Sequence, residues 1–258
     1  MTRIDSIEHR KPLQSLAPGG RIGVIALATD FNIEQDLRRI LPAEVEIFTS
    51  RVRNFNPLTI ENLRSMAPGI SAAADAILPG TDLDVVIYAC TSGTVAIGVD
   101  RVSELVRHNR PGVAVSNPVS AALSAFDALG ARRLSILTPY TAPVNAEMAG
   151  FFGGQGYEVL NIAGFGFEDD TAMTYIDPDD IVDAALQVCD PAADLLFVSC
   201  TALRAAGVIE RIERELSKPV VSSNQALAWH SLQLANYGAP VPGLGRLMEQ
   251  LGGPVRRL

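Results

Sequence analysis

Two cysteines stand at matching points of two matching stretches. Cys90 closes the run Leu83-Asp84-Val85-Val86-Ile87-Tyr88-Ala89 and is followed by Thr91-Ser92-Gly93. Cys200 closes Asp194-Leu195-Leu196-Phe197-Val198-Ser199 and is followed by Thr201-Ala202-Leu203. Each reads as a thiol at the C-terminal end of an apolar strand, just before a helix. In an open parallel sheet that edge is where ligands bind. Two thiols facing each other across a pseudo-twofold axis could take a proton from one face of a carbon and return one to the other. Alternatively, one thiolate adds to a double bond, the central bond rotates, and elimination releases the trans isomer.

The reactive form is the thiolate, and a free thiol titrates near roughly 8.5. A helix beginning just beyond the strand would present unpaired N–H groups and the positive end of its dipole. Thr91, Ser92 and Gly93 add hydroxyl and backbone donors there, and Gly93 lets backbone approach a ligand closely. Thr201 takes the same place in the second stretch. Both positions are expected to depress a thiol pKa and to cradle a substrate carboxylate. The competing reading is two small buried hydrophobes, since free Cys is among the most buried residue types. Cys189, late in a helical stretch, reads as structural. Tyr140, after Pro139, is either a hydrogen-bond donor to a carboxylate or enolate-like charge or an ordinary turn residue. Thr29, Ser116-Asn117 and Ser223-Asn224 sit at strand ends, where they line the site or cap the next helix. Asp30 has the same two readings. Glu168-Asp169-Asp170 reads as a solvated loop, and His230 as a packing residue on a helix.

These residues need a frame, and an internal repeat supplies one. Arg21-Ile22-Gly23-Val24 aligns with Arg133-Leu134-Ser135-Ile136 at an offset of 112, and Cys90 with Cys200 at 110. Ser116-Asn117 aligns with Ser223-Asn224 at 107. Each half holds four β-rich runs: about 22–27, 45–49, 85–89 and 113–115, then 134–138, 158–162, 195–199 and 220–221. Helical stretches lie between them at 33–40, 60–77, 95–108, 144–152, 179–188 and 205–216. Segments 118–128 and 225–235 read as helices carrying the chain between lobes. Strict alternation predicts an α/β fold: two pseudo-twofold-related lobes, each a four-stranded parallel sheet flanked by helices, with the active site in the inter-lobe cleft. One lobe is expected over 1–117 plus 225–258 and the other over 118–224.

Composition narrows the function. The chain has 258 residues, 48% hydrophobic, with net charge −8, which argues against a phosphate-backbone footprint and thus nucleic acid. Only Lys11 and Lys218 are lysines, which disfavours Schiff-base or P-loop chemistry. The N-terminal stretch carries no apolar signal core, and no apolar run reaches the ~20 residues that span a bilayer. With three cysteines, an odd number for a disulfide framework, the expectation is a reduced, cytoplasmic protein. No metal-ligand spacing stands out, and no membrane partner is expected. Association into a homo-oligomer is left open.

Ala89-Cys90-Thr91-Ser92-Gly93, Thr138-Pro139-Tyr140, Ser199-Cys200-Thr201 and Ser222-Ser223-Asn224 resemble the aspartate/glutamate racemase superfamily. Within it they are most similar to the group of maleate cis-trans isomerase, arylmalonate decarboxylase and the ectoine-utilisation protein EutA. The run from Ala28 to Glu34 favours EutA. The resemblance implies two catalytic cysteines, Cys90 and Cys200, in a cleft between lobes, and no cofactor. Arylmalonate decarboxylases typically keep one of the two, so having both points to racemase or isomerase chemistry. It also implies that Asp30 and Asp170 stand where maleate isomerases hold a substrate carboxylate with Asn, so an ammonium or hydroxyl would suit them better than maleate.

The leading expectation is a cofactor-independent racemase or cis-trans isomerase of a small amino, hydroxy or dicarboxylic acid, with ectoine or hydroxyectoine breakdown as a candidate setting. Thr91, Ser92, Gly93, Tyr140, Thr201, Asp30 and Asp170 would bind the substrate. The alternatives are a single-cysteine decarboxylase and a non-catalytic small-molecule-binding protein.

Overall fold

The computed structural model describes residues 2–14 and 16–251. Its first half runs β1 (Gly20–Leu27), α1 (Ile33–Ile40), β2 (Val45–Val52), α2 (Ile60–Arg64), α3 (Ala67–Asp75), β3 (Val85–Ala89), α4 (Thr91–Ile97), α5 (Val99–Asn109) and β4 (Ala114–Ser116). After α6 (Pro118–Ala128) the second half repeats the plan. It runs β5 (Arg133–Thr138), α7 (Ala142–Gly154), β6 (Glu158–Gly164), α8 (Asp170–Thr174), α9 (Pro178–Val188), β7 (Leu195–Val198), α10 (Ile209–Leu216) and β8 (Val220–Ser222). Helix α11 (Ser223–Leu234) follows. The sheets are ordered β2-β1-β3-β4 and β6-β5-β7-β8, and all their pairings are parallel. The expected two four-stranded parallel sheets flanked by helices are what the chain forms.

Because both faces of each sheet are covered, the central strands read as continuous apolar runs rather than as alternation. Every residue of β3 and β7 is buried. Helix α1 contributes Ile33, Leu37 and Ile40 from one face, at the spacing that stacks side chains on a helix. Against the second sheet, Phe126 of α6 packs edge-on to Phe197 of β7, with ring centroids 5.3 Å apart, and also contacts Phe152 and Tyr157. These edge-to-face contacts suit the ring quadrupoles.

Helices α6 and α11 pack on each other and join the halves. Asn117 caps α6 by accepting the N–H groups of Val119 and Ser120, with Pro118 in the first turn. Ser222 and Gln225 form a reciprocal capping box on α11. Helix α11 follows the second sheet in sequence but packs on β3, β4 and α1 of the first half. Residues 252–258, expected to complete the first lobe, lie outside the described residues.

Three helical expectations and one loop expectation need correction. Stretch 60–77 is two helices, because Pro68 sits in the first turn of α3, where a proline cannot continue a preceding helix. Stretch 95–108 begins earlier, at Thr91, and breaks at Gly98, whose φ of 100° interrupts the helical path. The 205–216 helix starts only at Ile209. The acidic run is not merely a loop: Asp169 accepts the Ala172 N–H and caps α8, in which Asp170 is the first residue.

Candidate active site

The C-terminal ends of the two sheets meet around one cavity of ≈ 10 Å³, lined by Leu27, Thr29, Asp30, Cys90, Thr91, Ser92, Tyr140, Asp170, Cys200, Thr201 and Ala202. Both cysteines are free, and both are buried. Of the residues singled out by sequence, Cys90, Cys200, Asp30, Thr91, Ser92, Tyr140, Asp170 and Thr201 are all brought together here. Gly93 is not in the lining. It lies behind the thiol, where a Cβ would stand 2.8 Å from Cys90 Sγ, 2.8 Å from Met66 Cε and 2.9 Å from the Tyr88 hydroxyl. Its bare α-carbon makes room for these groups, not for a ligand.

Cys90 is the N-cap of α4. Its sulfur accepts the Gly93 N–H at 3.2 Å, and the Ser92 hydroxyl lies 4.0 Å away. The Thr94 hydroxyl donates to the Cys90 carbonyl at 2.6 Å. Cys200 is held differently, and this corrects the expected symmetry: no helix follows it. Residues 201–203 form a bent loop, which Asn32 and Asn224 hold by donating to the Thr201 carbonyl at 3.0 and 2.9 Å. Asn32 also donates to the Leu203 carbonyl at 3.1 Å. Both amides donate in turn to buried Asp36. These side-chain bonds occupy the carbonyls that a first helical turn would use. The Cys200 sulfur accepts the Ala202 N–H at 3.4 Å and a hydrogen bond from the Tyr140 hydroxyl.

Tyr140 is placed by its neighbours. Its N–H donates to the Thr138 hydroxyl at 3.0 Å, and that hydroxyl donates to Asn145 at 2.7 Å. The ring is 2% exposed, and the phenol faces both Cys200 and Ser92.

The electrostatics reverse the expected sign. Burial pushes the Cys90 thiol well above its ordinary value, and the Asp170 charge raises it further despite the Gly93 N–H. Burial pushes Cys200 up to about 12, although the Tyr140 and Ala202 donors pull the other way. Desolvation disfavours the charged form, and here it outweighs the local donors. Burial thus biases both thiols toward the protonated form.

The two carboxylates are also held high. Burial raises Asp30, against the lowering effect of the Ile33 and Asn32 N–H groups. Burial raises Asp170 to about 6, with the Asn54 side chain opposing and Asp30 adding to the shift. Asp30 is a helix cap and a lining residue at once. Its Oδ1 accepts the N–H groups of Asn32 and Ile33 at 2.7 and 2.9 Å, while its buried Oδ2 has no partner. Asp170 is anchored by Asn54, whose amide donates to its Oδ2 at 2.7 Å and to Thr29 at 2.8 Å. Nearby, the Leu58 N–H donates to the Glu168 carbonyl at 2.7 Å. The segment after β2 is thus docked on the segment before α8, over the cavity.

Sequence reading missed Asn32, Asp36, Asn54, Thr138 and Asn145. None adjoins a cysteine: Asn32, Asp36 and Asn54 act on residues distant in sequence, whereas Thr138 and Asn145 act on nearby Tyr140. Cys189 is half-buried at the end of α9 and its sulfur contacts the Asp190 carbonyl, away from the cavity. His230 is buried on α11 against the Ser116 hydroxyl at 2.9 Å, as a packing residue should be. Among the described residues, no group of three or more His, Cys, Asp or Glu side chains is placed to hold a metal ion. No helix among them is long and apolar enough to cross a membrane.

The chain matches the family model of arylmalonate decarboxylase over residues 73–248. An arylmalonate decarboxylase from Bordetella bronchiseptica is 32% identical over 142 residues, which make up 54% of this chain and 59% of that protein. A maleate isomerase from Nocardia farcinica is 24% identical over 242 residues, covering 89% of this chain and 96% of that protein. Among solved structures, a cysteine-to-serine mutant of Nocardia farcinica maleate cis-trans isomerase with a covalently bound succinylcysteine intermediate has a TM-score of 0.80 at 23% identity. It covers 90% of this chain and 98% of its own.

Proposed function

The chain belongs to the arylmalonate decarboxylase family, and on that basis we propose that it catalyses the cofactor-independent isomerisation of a small carboxylic acid between the Cys90 and Cys200 thiols. The observation that carries this reading is that two thiols from equivalent strand ends of the two sheets line one cavity. The maleate isomerase relatives, aligned over 89% of this chain, support it.

Cys200 is the more readily ionised thiol, because Tyr140 and Ala202 both donate to its sulfur. As thiolate it removes the proton from the carbon beside the substrate carboxylate. Cys90, still protonated, delivers its own proton to the opposite face. Negative charge that develops on the carboxylate is met by the Ser92 and Thr91 hydroxyls, preorganised donors in a cavity that excludes water, and Tyr140 takes up that role once the Cys200 sulfur is reprotonated. For an unsaturated substrate the same pair serves as nucleophile and proton donor: one sulfur adds to the double bond, the other thiol protonates the adjacent carbon, and reversal after rotation gives the trans product. Within the group we favour the EutA-like assignment from the run Ala28 to Glu34, with an amino or hydroxy acid substrate.

The test is solvent-deuterium exchange into a panel of small amino, hydroxy and dicarboxylic acids by wild type, Cys90→Ala, Cys200→Ala and Cys189→Ala. Loss in the first two, with the third unchanged, supports the reading. A second reading, decarboxylation through one cysteine, is favoured by the 32% identity to arylmalonate decarboxylase over 54% of the chain. It requires that Cys90→Ala keep turnover while Cys200→Ala loses it.

A further inference from the structure

We propose that Asp30 and Asp170 form a cation-accepting subsite in this cavity, so that the substrate carries a protonated amine as well as a carboxylate and belongs to the amino acids rather than the dicarboxylates. This rests on the isomerase reading for the identity of the reacting carbon.

The donor and acceptor inventory carries it. Asp30 is 5% exposed, and its Oδ2 is buried without a partner. The Thr201 hydroxyl is the one side-chain donor that bears on Asp30, and it is shared with the Ala89 carbonyl, 3.4 Å away. Asn54 commits its amide hydrogens to Asp170 and Thr29, and its own buried Oδ1 lacks a donor. The wall around these carboxylates is therefore short of donors. None of the lining side chains is Arg, Lys or His. Arg51 is the cation that acts on Asp30, and it is engaged by the Leu27 and Asp30 carbonyls and by Glu34, outside the cavity. A second substrate carboxylate would bring only acceptors, and like charge, to this wall. An ammonium brings three donors and the opposite charge.

The same pairing explains how the thiols are activated. Both carboxylate charges bear on Cys200, and Asp170 bears on Cys90. A docked ammonium offsets that field, so it eases ionisation of thiols that burial, the larger cause, holds high.

Charge-selective thiol modification tests this without knowledge of the substrate. In the Cys189→Ala background, Cys90 and Cys200 are treated with 2-aminoethyl methanethiosulfonate (cationic) and 2-sulfonatoethyl methanethiosulfonate (anionic). In each case the sulfur attacks, a disulfide forms and methanesulfinate leaves. Rates are followed by mass spectrometry and normalised to 2-mercaptoethanol. The cationic reagent should be faster by at least about tenfold, the size of effect expected of a carboxylate within a few ångströms. Asp30→Asn combined with Asp170→Asn should abolish the preference. An Asn at position 30 keeps an oxygen for the Asn32 and Ile33 N–H groups, so the fold should survive, as a melting curve will report. An anionic reagent as fast as the cationic one, or a cavity closed to both, overturns the proposal. Deuterium exchange in the cysteine variants tests the isomerase reading separately, because the modification assay requires no turnover.

Discussion

The hydroxyls of Thr91 and Ser223 lie 3.0 Å apart, and Ser223 also accepts the Cys200 N–H at 3.1 Å. A residue adjoining one thiol is thus linked through a single serine to the backbone of the other. This short chain of bonds ties the start of α4, beside Cys90, to the Cys200 backbone.

Ser223→Ala should therefore cost more in kcat than in KM. It removes the acceptor of a buried N–H, worth about 1–3 kcal/mol in stability, and frees the Cys200 loop. Steady-state kinetics with a denaturant titration checks both. An unchanged kcat would separate the Thr91–Ser223 bond from the chemistry.

The cysteines should divide sharply. Cys90→Ala and Cys200→Ala should each lower turnover by at least about 100-fold, the lower bound for a positioned acid or base. Cys189→Ala should leave turnover intact, and circular dichroism should be native in all three.

Gly93→Ala should displace the Cys90 thiol, because the added methyl would stand 2.8 Å from its sulfur and 2.9 Å from the Tyr88 hydroxyl. Overpacking of this kind costs about 1–3 kcal/mol. Turnover should fall while a native melting transition persists at lower temperature.

Asp170→Asn should make both thiols easier to ionise, since the Asp170 charge raises them. The pH dependence of iodoacetamide alkylation should move downward by about one unit. In wild type, the preference for a cationic reagent should grow as pH rises through about 6, where Asp170 ionises. An upward shift in the variant would contradict the field argument.

His230 gives a stability prediction. Burial lowers its pKa from 6.5 to about 4 in the folded protein. Between those values the unfolded chain binds more protons than the folded one. Its contribution is therefore intact above pH 6.5 and is lost as pH falls toward 4, by at most about 1.4 kcal/mol per pH unit. Asp30, Asp36, Asp170 and Glu213, all raised by burial, act in the opposite direction. The difference between wild type and His230→Asn isolates the histidine. Urea titrations from pH 4 to 7 should show the variant gaining relative stability as pH falls.

Apolar runs bounded by polar residues located the strands well: β3 occupies the expected residues, and β4 is displaced by one. Helices α1 and α6 also fall where their patterns place them. The site residues were legible because the repeat put both cysteines at strand ends. What was not legible depends on distant partners. Residues 205–208 carry a helical pattern, but Asn32, 169 residues upstream of Thr201, helps to bend the preceding segment into a loop. Helix α8 is five residues long, too short for periodicity to mark, and only Asp169 as a cap announces it. The raised thiols follow from burial, which a strand-end position does not reveal. For Gly93, the sequence signalled a need for space but not which group would fill it.

The docking of residue 58 on residue 168, together with the Asn54–Asp170 bond, borders a cavity with room for about one water. An acid of several heavy atoms enters only after those contacts part. Asp170 is thus both a fastening of the closed form and the group offered to the incoming amine, so the substrate competes with Asn54 for the same carboxylate. With the proposed amine as that donor, recognition and admission would be one event, and a molecule unable to replace the Asn54 amide would leave the Asn54–Asp170 bond in place.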